Sequence, residues 1–113
     1  MKNLLLSAIV VLTYLPLLAQ HSLEKMWESD SLTLKGPESA LFDSKSKSLY
    51  VSSMGSGSIV RMDLNGKVIK SDWVTGLISN KGSALFKGLL YTAETSAVAV
   101  IDVDKASVIK RIP

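Results

Sequence analysis

A repeat constrains this chain more than any other feature. Ser39-Ala40-Leu41-Phe42 returns as Ser83-Ala84-Leu85-Phe86, 44 positions later, and Leu49-Tyr50 returns as Leu90-Tyr91, 41 later. Ile59–Leu64 is echoed by Val98–Val103, with Asp63 and Asp102 39 apart, and Val68-Ile69-Lys70 returns as Val108-Ile109-Lys110, 40 apart. The order is kept and the spacing stays near about 40 residues, each unit holding four short apolar runs. That period and strand count mark a β-propeller blade, a four-stranded antiparallel meander whose two faces are covered by its neighbours. The expected fold class is therefore all-β: a partial propeller of about two blades.

Local chemistry punctuates the same units. Gly36-Pro37 breaks the chain before a strand over Ser39–Asp43. The polar Ser44–Lys47 turn separates it from a strand over Ser48–Ser53, and Gly55-Ser56-Gly57 turns the chain again. Ser58–Leu64 alternates, with Ile59, Arg61 and Asp63 against Val60, Met62 and Leu64. Asn65-Gly66 is a preferred type I′ hairpin pair, and Val68–Val74 follows as a fourth strand. Leu23–Glu28 reads as one extra N-terminal strand. The first blade is expected over residues 38–74 and the second over 82–112. No stretch after Leu18 carries a 3.6-residue apolar stripe.

Residues 1–19 read as a signal peptide rather than fold. Lys2 supplies the positive start, Leu4–Leu18 the apolar core, and Ala19 a small residue for cleavage. The core is shorter than the roughly 20 apolar residues of a membrane span. Leu17, large where the cleavage site prefers a small residue, leaves an uncleaved anchor as the alternative. The expected location is periplasmic or secreted, with residues 20–113 as the folded part and no membrane contact after cleavage.

Composition closes several routes. Thirteen basic against ten acidic side chains give a net charge of +3, and the charges are not clustered, so a nucleic-acid partner is not expected. With no cysteine there is no disulfide framework, thiolate zinc site or thiol nucleophile. The single histidine, His21, lies beside the cleavage site, which argues against a Ser-His-Asp triad within the chain.

Several segments together carry a family resemblance: Gly36–Asp43 (GPESALFD), Ser48–Ser53 (SLYVSS), Gly57–Val68 (GSIVRMDLNGKV) and Trp73–Leu77 (WVTGL). The chain resembles the start of secreted six-bladed propellers of the senescence-marker-protein, gluconolactonase and luciferin-regenerating-enzyme group, akin to strictosidine-synthase-like propellers. The resemblance spans residues 22–113 and implies the N-terminal part of a longer protein, about a third of such a propeller. In lactonase members a divalent ion, usually Ca2+, sits in the central channel. One of its ligands is a glutamate at the start of the first blade's innermost strand, a position that Glu38 matches. The resemblance thus implies a metal-assisted hydrolase of small lactones or esters as the whole protein's activity. The remaining ligands come from later blades, so the chain alone is expected to be inactive and to hold no cofactor. Glu38 also reads as an ordinary solvated carboxylate at a strand entrance.

Aligning the second repeat on Ser-Ala-Leu-Phe sets Asn80, Lys81 and Gly82 against Gly36, Pro37 and Glu38. Asn80 and Lys81 become candidate ligand-binding groups at the channel mouth, or simply a turn. Gly55–Ser58 lacks the Lys-Ser/Thr ending of a phosphate loop, and Asp102-Val103-Asp104 lacks the glycine and distal glutamate of a calcium loop. Trp27, Trp73, Tyr50 and Tyr91 read as packing residues. The rival functional class is a non-enzymatic propeller-type module that binds a ligand or protein. Two blades alone leave sheet faces bare, so further blades or self-association, such as three copies making six blades, are expected to complete the fold.

Overall fold

The computed structural model describes residues 22–113; the signal-peptide reading and His21 fall outside them. Eight strands follow in order: β1 (Pro37–Asp43), β2 (Ser48–Ser53), β3 (Ser58–Met62), β4 (Val68–Val74), β5 (Ser83–Phe86), β6 (Leu89–Ala93), β7 (Val98–Asp102) and β8 (Ser107–Ile112). They form two antiparallel meanders, β1-β2-β3-β4 and β5-β6-β7-β8, that stack face to face without closing. The expected all-β architecture of two four-stranded blade-like sheets is the observed one, and β2 and β4 begin and end where the turn residues placed them.

Alternation along the strands decides what lies between the sheets. Tyr50 pairs with Leu41 and Arg61, and these point at the second sheet. Tyr50, Ile59, Trp73, Val74 and Leu77 of the first repeat pack there with Leu90, Ala99 and Ile101 of the second. Tyr50 stacks on Trp73 with ring centroids 4.3 Å apart, worth about 0.5–1.5 kcal/mol beyond the buried area. Full burial of Ile59, Leu90 and Ile101 contributes roughly 1.5–3 kcal/mol each. A second cluster, Val51, Val60 and Met62, lies on the far side of the first sheet.

The expected extra strand over Leu23–Glu28 does not form: residues 22–30 join no ladder. That segment lies across the far side of the first sheet, where Trp27 and Leu34 pack on the Val51–Val60–Met62 cluster. The Trp27 Nε1 donates to the Leu64 carbonyl at 3.0 Å. Asp30 then turns the chain by accepting the Leu32 and Thr33 amides. The run is too polar and too interrupted to continue a sheet, but its one tryptophan finds an apolar face.

The type I′ turn is not at Asn65-Gly66. There the Gly66 amide donates to the Asp63 carbonyl, so Leu64 and Asn65 are the central pair, and only Gly66 has a positive φ. Asp63 Oδ1 accepts the Asn65 and Lys67 amides and holds this longer loop. The two-residue turn is Lys87-Gly88, both at positive φ, between the paired Phe86 and Leu89.

That shorter loop changes the repeat. In the first sheet Tyr50 pairs with Leu41; in the second, Tyr91 pairs with Ala84. The identical Ser-Ala-Leu-Phe segments are therefore one residue out of phase, and a one-residue slip turns every side chain to the other face. Leu41 and Leu85 both pack into the core between the sheets, but from opposite sides of it.

Candidate functional site

The two sheets come closest along β1 and β5, and the start of β1 is where the sequence places the channel mouth. Three connections meet at this edge: the β2–β3 turn at Met54–Gly57, the crossing segment 75–82, and the β6–β7 turn at 94–97. Backbone hydrogen bonds knit them together, Leu77 N to Gly57 O at 2.9 Å and Thr95 N to Ile78 O at 3.3 Å. Gly57 permits this approach, because a Cβ there would sit 2.4 Å from the Leu77 carbonyl oxygen and φ is +59°.

Glu38 sits at a bulge in β1, between Pro37 paired with Ser53 and Ser39 paired with Ser52. It is exposed and forms no ion pair among the described residues. Bulges re-aim a side chain at a sheet edge, which sets the carboxylate apart from the ladder's regular alternation. Lys81 is also exposed, and its carbonyl is the knot between the sheets. It accepts Ser52 Oγ at 2.6 Å and Ser39 Oγ at 3.1 Å, while the Lys81 amide donates to Ala93 O at 2.9 Å.

The ladder corrects the correspondence of these residues. Counting back from the paired Leu41 and Ala84, Lys81 rather than Gly82 corresponds to Glu38. The two repeats thus place opposite charges at the entrances of neighbouring strands.

Asn80 is not exposed beside Glu38 and Lys81. Its side chain is fully buried and its Nδ2 donates to the Ser58 carbonyl at 2.9 Å, clasping the crossing segment to β3. Its Oδ1 has no hydrogen-bond partner among the described residues. Position in a turn gave no sign of this burial, which depends on the crossing segment folding back over β3.

Glu94 belongs to the same edge. It accepts Arg111 Nε at 2.8 Å and the Ile78 amide at 2.8 Å, and Arg111 also donates to the Gly76 carbonyl at 2.8 Å. The Arg111 hydrogen bond holds the Glu94 carboxyl below its ordinary range against the opposing effect of burial, and the Ile78 amide adds to the lowering. Its role is to fasten β8 to the segment between the sheets.

A cleft of about 530 Å3 lies at the other edge, where Asp43, Lys45 and Ser46 face Phe86, Lys87 and Asp104. Asp43 is already committed there. Its Oδ2 accepts Ser46 Oγ at 2.6 Å and its Oδ1 the Lys45 amide at 2.9 Å, and the Ser46 hydroxyl holds the carboxyl low. Among the described residues no three His, Asp or Glu side chains group as metal ligands. No protein-family model matches the chain, and no curated protein matches it.

Proposed function

We propose that the chain is a two-blade part of a secreted or periplasmic propeller of the gluconolactonase-like group. The whole form would be a divalent-metal-assisted lactone or ester hydrolase, with Glu38 the one side chain these residues give to its site. The placement of Glu38 carries this reading: an exposed carboxylate, in no ion pair among the described residues, on a bulge at the entrance of β1, the strand nearest the second sheet.

The same geometry limits what these blades do alone. A calcium ion takes about 6–8 oxygens, and one carboxylate with no acidic cluster beside it among the described residues does not fit that requirement. No catalytic step is assigned to the chain, and the purified protein is expected to hydrolyse no lactone above buffer in the presence of Ca2+. Calcium-dependent lactone hydrolysis that disappears in Glu38→Gln would overturn the inactivity and strengthen the role of Glu38.

A second reading, a non-catalytic module that binds a small polar ligand at the mouth, rests on Lys81. A lysine where the first repeat has Glu38 suits a ligand with one anionic and one donor group better than it suits a cation. Thermal-shift titration with sugar lactones and aldonic acids tests this. A ligand-induced shift lost in Lys81→Ala but kept in calcium-free buffer favours binding; one that needs calcium and Glu38 favours the hydrolase reading.

A further inference from the structure

The two outer faces of the molecule are complementary by construction. On the far side of the first sheet the ladder pairs Leu49 with Met62 and Val51 with Val60. At the same ladder positions the second sheet pairs Leu90 with Ile101 and Thr92 with Ala99, and that face packs against the first sheet. In the other direction, the far side of the second sheet carries Tyr91 paired with Val100, where the first sheet pairs Tyr50 with Arg61 on its packed face. The first far side is therefore built like the second sheet's half of the existing interface, and the second far side shares with the first sheet's half its tyrosine and a β-branched residue at the Ile59 position, Val98, but has Ala84 where that half has Leu41.

The first far side is only partly covered. Trp27 and Leu34 lie on it, while Leu23, Met26 and Leu32 of the same segment remain exposed. A hollow of about 290 Å3 is left between Leu32, Thr33 and Lys35 above and Ser58, Val60 and Asp72 below. No segment among the described residues lies over the second far side: Phe86 is 61% and Ile112 42% exposed and Tyr91 and Val98 are half-buried, while Val100 is buried among its own sheet neighbours at 5%.

We infer that a second copy of the chain docks head to tail, its Leu49–Val51–Val60–Met62 face on the Tyr91–Val98–Val100 face of the first. Residues 22–34 form a cap that competes with this docking. The contact repeats the one already made between the two sheets, so the occupant is set by continuity with that interface. The contact is heterologous, so it closes into a ring or continues as a fibre; a ring of six sheets takes three chains. The inference is independent of any hydrolase activity.

Sedimentation equilibrium of the purified chain tests it. Trp27→Ala is expected to tighten self-association by about tenfold or more, the factor that about 1.4 kcal/mol of lost cap contact gives. Adding Tyr91→Lys to Trp27→Ala is expected to return the protein to monomer. A Trp27→Ala protein with unchanged far-UV circular dichroism that stays monomeric overturns the inference, as does assembly that ignores Tyr91→Lys. Should Trp27→Ala fail to fold, disulfide trapping carries the test, since the chain has no cysteine of its own. Tyr91→Cys mixed with Leu49→Cys is expected to give a mixed dimer, copying the Tyr50–Leu90 neighbourhood between chains. Tyr91→Cys dimers formed without the partner variant would show back-to-back packing and overturn the inference.

Discussion

The far side of the first sheet and the far side of the second come from the same repeat, yet they end in different states. On the first, Met62 and Val60 are buried beneath Trp27 and Leu34. On the second, Phe86 stands open and Tyr91 is half-buried. The repeat itself does not make the difference. The residues before β1 fold back over one face, and nothing among the described residues does so for the other. Sheet faces need a cover, and here a short irregular segment stands where another sheet would fit.

Substitution at equivalent ladder positions tests that contrast most strongly. Tyr50→Ala, which empties a site 2% exposed and removes the stack on Trp73, is expected to cost about 3–5 kcal/mol in urea denaturation. Tyr91→Ala, at the same position on the bare face, is expected to cost under about 1 kcal/mol in the monomer. Equal losses would mean that Tyr91 is covered in solution.

Gly66→Ala sharpens the comparison from the capped side. A Cβ there would meet the Trp27 ring at 2.6 Å, and φ is +80°. The variant is expected to lose roughly 1–2 kcal/mol to backbone strain and to expel Trp27, seen as a red shift of tryptophan fluorescence. Unshifted emission would place the cap elsewhere.

The smallest effect is electrostatic and belongs to the second sheet. Glu94 is held below its usual pKa of 4.5 by Arg111. A carboxyl lowered in the folded state stabilises the fold above its unfolded value and loses that contribution as pH falls through the lowered one. Thermal melts are therefore expected to fall below about pH 4.5 in the wild type and to fall less steeply there in Glu94→Gln, the lowered Asp43 carboxyl still contributing. An unchanged slope would mean that the Glu94–Arg111 pair is open in solution.

Much of the fold is legible locally. The alternation in Ile59–Met62 and the polar Ser44–Lys47 turn mark strands and their limits without any partner. Other features needed the partner. The matching Ser-Ala-Leu-Phe segments pointed to a register that is one residue off, because the tight Lys87-Gly88 turn shortens the second hairpin. Leu23–Glu28 is a mixed run that could be read as a strand, but it joins no ladder and its tryptophan packs on the far face of the first sheet. Asn80 looked like a surface turn residue until the crossing segment buried it against Ser58. Glu38 lies at a strand entrance as expected, and the register that sets Lys81 beside it in the scheme emerged only from the pairing of Tyr91 with Ala84.

By itself, then, the sequence determined the all-β class, the grouping of the repeat strands in fours and the lack of any thiol. These follow from side-chain period, turn chemistry and composition, all of which are local. Tertiary structure decided which face each strand turns to the core, which charged residue of the second repeat answers Glu38, and which outer face is covered. Those depend on loop lengths that shift a two-residue period by one, and on a long-range contact from Trp27 to a sheet that forms only after it in the chain.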